Sequence, residues 1–355
     1  MENPLLRWPG AVPAEEPDTG VAAHYGDPSG EQRALERAAG LVDRSHRGVV
    51  RIGGPDRLSW LNSLSTQLLD PPPSSPSPFA GGAAQTLILS PNGHVEHHLT
   101  LIDDGEQVWA HVEPGTAAEL VRFLESMRFM LRVEPADVTG DYAVLTVAVG
   151  QENTGPDGPA GEAQAGAVAA LPGRLGTDLI ISRDRLPQVT DSLAGRGVRP
   201  AGMWAYEALR IAAHQPRLGL DTDHRTIPHE VGWIGTAVHL DKGCYRGQET
   251  VARVHNLGHP PRRLVLLHLD GSVDRLPGHG DAIELNGDRV GVTGSAARHY
   301  ELGPIALGLV KRTVPTGAQL LAGGVDAAQE VIVPPDAGAN VKVTLRRGRR
   351  GDAAG

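Results

Sequence analysis

Lys242-Gly243-Cys244-Tyr245-Arg246-Gly247-Gln248-Glu249 decides how this chain is read. The stretch holds the single cysteine among 355 residues. Glycine tolerates positive φ and close backbone approach, so Gly243 and Gly247 predict a tight loop that presents Cys244 between them. Lys242 and Arg246 stand two residues either side of the sulfur. A cation reaching it would favour the thiolate. The alternative is a buried, inert cysteine, the usual fate of a free thiol.

The residues that follow narrow the reading. Thr250-Val251-Ala252-Arg253 leads to a turn at Asn256-Leu257-Gly258, then to Arg262-Arg263-Leu264-Val265-Leu266-Leu267. The run K-G-C-Y-x-G-Q-E-x-V-A-R, a turn, then R-R-L resembles the signature of the YgfZ family. Those are folate-binding proteins of iron–sulfur cluster assembly or repair, related to the glycine-cleavage T-protein, an aminomethyltransferase. Gly54-x-Asp56 with Trp60-Leu61-Asn62-x-Leu64-Ser65-Thr66-Gln67 resembles their N-terminal segment. Gly291-Val292-Thr293-Gly294 and Pro304 to Val310 resemble the C-terminal barrel of the T-protein group.

The chain before the motif alternates strands and helices, which indicates α+β layers. Residues 1–30, rich in Pro, Gly and Glu, read as a mobile arm. Leu35, Ala38, Ala39 and Val42 fit a helix running through Leu41. His46 to Ile52 reads as a strand, and Leu58 to Leu68 carries a helical face. Thr86 to Leu89, Ser90-Pro91-Asn92-Gly93 and Val95 to Leu101 read as a hairpin. Thr116 to Met130 fits an amphipathic helix, Leu131 to Val133 a strand, and Met203 to Ala213 another helix. After Arg262 short strands alternate with turns, which predicts a small barrel reaching Leu345. The expected organisation is thus α+β. Two α/β lobes of the T-protein/YgfZ type span 31–258, a C-terminal antiparallel β-barrel spans 259–345, and a basic tail covers 346–355.

Composition sets limits. Hydrophobic residues make up 40% and charged residues 21%, as in globular domains. A net charge of −9 argues against general nucleic-acid binding. One cysteine excludes an internal disulfide and a self-contained cluster, and it fits a reducing, cytoplasmic compartment. No apolar run reaches 18 residues, so no membrane span is expected.

The resemblance implies tetrahydrofolate, or another reduced folate, as cofactor and unidentified iron–sulfur client or assembly proteins as partners. It points to Cys244 and Lys242 for chemistry. For folate it points to Tyr206, Glu230, Tyr245, Gln248, Glu249, Arg253 and Arg263. Glu230 matches a T-protein stretch P-x-E-x-G, Tyr206 a helix position with an aromatic beside folate, and the arginines could meet the glutamate tail. Plain structural roles stay open for each. The T-protein hairpin has the form N-G-G-x-x-D-D, and an aspartate there assists aminomethyl transfer. Here the hairpin reads Asn92-Gly93-His94-Val95-Glu96-His97-His98, with histidines at the aspartate positions. Imidazole does not reproduce a carboxylate's electrostatics toward a cation, which counts against aminomethyl transfer. No metal site is assigned, because adjacent His97 and His98 face opposite sides of a strand. The alternative function is a folate-dependent one-carbon (aminomethyl) transferase.

Overall fold

Alternation along the strands places the core. In Val95–Asp103 the odd positions Val95, His97, Leu99 and Leu101 are buried, while Glu96, His98, Thr100 and Ile102 face the other way. This strand belongs to a five-stranded antiparallel sheet, ordered Ala84–Leu89, Val95–Asp103, Gln107–Val112, Gly48–Gly53 and Glu134–Asp137. Helices Arg57–Leu64 and Ala117–Ser126 pack on its buried face through Trp60, Leu61, Leu120 and Leu124. The computed structural model describes residues 3–71, 82–149 and 164–338.

A second five-stranded sheet runs Ala169–Gly173, Gly176–Ser182, Tyr142–Val149, Ala39–Asp43 and Arg199–Ala201, the last pair parallel. The two lobes are interleaved, since Ala39–Asp43 precedes the first sheet and Tyr142–Val149 follows it. Val49 and Trp109 of one sheet meet Val144, Leu171 and Ile180 of the other. The third part is a closed barrel of Arg262–Leu269, Gly303–Lys311, Asp288–His299, Ala282–Leu285, Gln319–Ala322 and Val325–Val331. Closure removes sheet edges, which is how a short-stranded sheet avoids unpaired backbone. Leu264, Leu266 and Leu307 on its outer side join Leu87, Leu89 and Trp233 in a shared core. No helix among the described residues is long and apolar enough to cross a membrane.

Several sequence expectations change. Residues 3–30 are not a mobile arm. Leu5, Val21, Ala22 and Ala23 are buried, Asn3 Nδ2 donates to Asp43 Oδ2 at 2.6 Å, and Asp18 pairs with Arg217 at 2.9 Å. Burying apolar side chains offsets the ordering entropy that composition alone suggested would win. The first helix ends at Arg37, and Ala39–Asp43 is a fully buried strand. An all-buried strand shows no period-2 alternation, so its apolar run reads as helix. The helix after Thr116 stops at Ser126, and Leu131 to Val133 is not a strand; pairing starts at Glu134. Helix Gln248–Leu257, which the turn at Asn256 concealed, begins directly after the cysteine loop. The strand expected at Val341 to Leu345, the basic tail and most of the loops 71–78 and 151–168 lie outside the described residues.

Candidate functional site

Where both lobes meet helix Met203–Ala212 and the segment leading to the barrel, the fold leaves a cavity of about 840 Å³. Its walls are polar side chains set into otherwise apolar strands. Gln107–Val112 contributes His111, with Glu113 just beyond it; Gly176–Ser182 contributes Asp178; the helix contributes Tyr206 and Arg210. The connection between Ala39–Asp43 and Gly48–Gly53 supplies Arg44 and Arg47.

These groups form one buried ionic network. Arg44 Nη1 lies 2.9 Å from both Asp178 oxygens, and Thr146 Oγ1 donates to Asp178 Oδ1 at 2.6 Å. His111 Nε2 sits 3.0 Å from Asp178 Oδ2, and Arg47 Nε donates to His111 Nδ1 at 2.9 Å. That fixes the tautomer with the proton on Nε2. Glu113 receives Arg47 at 2.8 Å and Arg217 at 3.0 Å. Arg217 also meets Asp18 and Glu207, and Arg210 meets Glu207 and Asp221. Burial alone would raise the Glu113 and Asp178 carboxyls. For Glu113 the guanidiniums of Arg47 and Arg217 outweigh it; for Asp178, Arg44, His111 and Thr146 do. Both acids stay well below the usual carboxylate range. Burial and Arg47 push His111 down to about 4, so it is neutral.

Aromatic side chains beside this network complete the lining. His98 and Trp233 pack with ring centroids 4.7 Å apart and planes tilted by 39°, and Arg44 sits 4.5 Å from the Tyr206 ring centroid. His239 Nδ1 in the same lining is buried without a partner. A buried unpaired polar atom beside a cavity is a seat for a polar ligand. Arg174 lies exposed at the rim.

Of the residues named from sequence, Tyr206 lines the cavity. His98 does too, while His97 turns into the lobe core, as strand alternation requires. The others lie elsewhere. Glu230 is fully buried outside the cavity, accepting from Ile227 N and held by Arg262 at 2.8 Å. It is a structural anchor whose oxygens already have partners. Arg263 lies inside the barrel, donating to Val314 O and Gln329 Oε1. Glu249 and Arg253 are exposed on helix Gln248–Leu257, and Gln248 Nε2 reaches Lys242 O at 3.4 Å. Tyr245 is buried in the core beside the barrel.

Cys244 is exposed and is not part of the cavity wall. The two cations near it in sequence have other partners. Lys242 Nζ donates to the carbonyls of Asn62, Ser65 and Gln67 at 2.6, 2.6 and 2.7 Å. Arg246 pairs with Glu96 at 2.7 Å and lies over Phe123. Gly247 has φ +80°, and a Cβ there would stand 2.6 Å from Ser90 O of the hairpin turn. Gly247 therefore lets the loop and the hairpin touch. Cys244→Ser should change stability by less than about 0.5 kcal/mol, as exposed substitutions do. Urea denaturation checks this, and a loss above 2 kcal/mol would mean that the thiol is packed after all.

Sequence reasoning missed Arg44, Arg47, His111, Glu113, Asp178, Arg210 and Arg217. The available signal was charge at positions where the apolar pattern predicts burial, as in Val108-Trp109-Ala110-His111-Val112-Glu113.

No protein-family model matches the chain. Among curated proteins it is 28% identical over 307 residues to the aminomethyltransferase of Nostoc sp., covering 79% of each chain. It is 28% identical over 315 residues to that of Saccharopolyspora erythraea, covering 81% of this chain and 83% of the relative. The crystal structure of the glycine cleavage system aminomethyltransferase T from Bartonella henselae superposes with a TM-score of 0.74 at 18% identity. That match covers 92% of this chain and 94% of that one. The chain thus has the aminomethyltransferase fold, with both lobes and the barrel.

Proposed function

We propose that this protein binds a reduced folate in the central cavity and acts in the transfer of the one-carbon unit that the folate carries. The observation that carries the reading is the cavity itself: about 840 Å³, lined by an aromatic pair and a buried ionic network, within an aminomethyltransferase fold. Tetrahydrofolate, when bound, supplies ring nitrogens that hold one-carbon groups. The His98–Trp233 pair suits a flat bicyclic ring. His239 Nδ1 is an unpaired polar partner for the ring edge. Arg174 at the rim suits the glutamate tail's carboxylates. The names of the relatives favour a transferase.

A second reading is support of iron–sulfur cluster assembly or repair. The exposed Cys244, in the loop whose sequence resembles the YgfZ signature, favours it. One thiol cannot hold a cluster, so this reading requires a client protein.

Aminomethylated carrier protein with tetrahydrofolate separates the possibilities. With His97 and His98 at the hairpin, ammonia release at about 1–10³ s⁻¹ is not expected. Release at such rates would make the protein an ordinary aminomethyltransferase. Folate binding without release, together with loss of cluster-enzyme activity in cells carrying Cys244→Ser, would favour the second reading.

A further inference from the structure

The cavity says which one-carbon unit it suits. His98 projects into it from Val95–Asp103, packed at a tilt against Trp233, with Nε2 3.3 Å from Gln85 Oε1. With the proton on Nε2 donated to that amide oxygen, Nδ1 is left as an acceptor. Burial, with Arg47 and His111 adding to it, outweighs the opposing pull of Glu113 and pushes the ring down to about 4, so it carries no charge at neutral pH.

Among the described residues, no carboxylate free of an arginine partner lines this cavity. The two carboxylates that line it, Glu113 and Asp178, are each held by arginine: Arg47 and Arg217 on one, Arg44 on the other. Among the described residues, five guanidiniums line the cavity against those two acids. The further acids that balance Arg210 and Arg217, namely Asp18, Glu207 and Asp221, stand behind the wall, farther from any ligand. In a low-dielectric site the nearest charges dominate, so a cationic ligand is disfavoured and a neutral or anionic one is not.

We propose that His98 makes the cavity selective for reduced folates carrying an uncharged one-carbon group, such as formyl, against folates whose one-carbon unit is cationic. This rests on the folate reading above. His98 acts as hydrogen-bond acceptor and as the absence of a counter-charge in one residue.

Calorimetric titration of the full chain with 5-formyltetrahydrofolate and with the cationic 5,10-methenyltetrahydrofolate tests it, at pH 6, where His98 remains neutral. The wild type should bind the formyl compound at least tenfold more tightly. His98→Asp should shrink that ratio at least tenfold by supplying the missing anion. His98→Asn, which adds no charge, should keep the preference and so controls for shape. Equal wild-type affinities, or a ratio unmoved in a folded His98→Asp variant, would overturn the proposal. Should His98→Asp fail to fold, the wild-type ratio and the His98→Asn ratio decide, and loss of the preference in His98→Asn counts against charge as the cause. No heat with either folate would instead remove the folate reading itself.

Discussion

Glu113→Ala is expected to lower stability by about 3–5 kcal/mol, the largest effect of any single change in this account. The substitution removes the carboxylate partner of Arg47, whose guanidinium stays buried at 7% exposure, and one of the three carboxylates around Arg217, which keeps Asp18 and Glu207. Uncompensated buried charge, rather than the lost contact, sets the magnitude. The same network predicts the acid limb. The folded carboxyls of Glu113 and Asp178 lie below their ordinary values of 4.5 and 3.8. Below those values the unfolded chain binds more protons than the folded one, so stability is complete above about pH 5 and falls as pH drops further. Urea denaturation from pH 7 to pH 3 measures both. A loss below 1 kcal/mol for Glu113→Ala would mean that water or rearrangement takes over the acid's part.

Lys242→Met should cost about 2–4 kcal/mol. Three backbone carbonyls lose an ammonium donor, each charge-assisted bond being worth about 1.5–3 kcal/mol, and the relief of no longer burying a charge offsets part of the loss. Burial pushes Lys242 down to about 8 from 10.5. Between those values the unfolded chain holds more protons, so this group makes stability rise with pH across that window. The variant should lose that slope. A neutral or stabilising change would show that the buried charge outweighs its three acceptors. The result bears on the cysteine loop, because Lys242 ties it to residues 62–67, and Gln67 of that segment lines the cavity.

The fold was legible where local pattern and chain topology agree. The barrel strands near Leu264, Asp288 and Ile305 and the hairpin at Asn92-Gly93 lie close to where alternation and turn residues predict them. The strand Ala39–Asp43 was not, because burial on both faces erases the alternation that marks a strand. The site was legible only in part. Tyr206 and His98 are named from sequence, yet Glu230, singled out by the P-x-E-x-G match, and Arg263, singled out by its charge, are already partnered by Arg262, Gln329, Val314 and the backbone of Ile227. Which carboxylate faces a cavity and which is already paired depends on contacts such as Arg217 with Asp18, 199 residues apart, which no local pattern records. The cysteine loop misled in a similar way. Lys242 and Arg246 are near the sulfur in sequence, but their side chains go to carbonyls and to Glu96.

The central claim is that the cavity between the lobes and the barrel takes a reduced folate. Calorimetric titration of the purified protein with tetrahydrofolate, followed in parallel by tryptophan fluorescence because Trp233 is in the cavity wall, tests it most directly. One site with micromolar or tighter affinity, about −8 kcal/mol, is expected, with a change in emission that Thr100→Trp, which fills the cavity face of Val95–Asp103, abolishes together with the binding heat. Folded protein that gives no heat, or a Thr100→Trp variant that binds as tightly as the wild type, would contradict it.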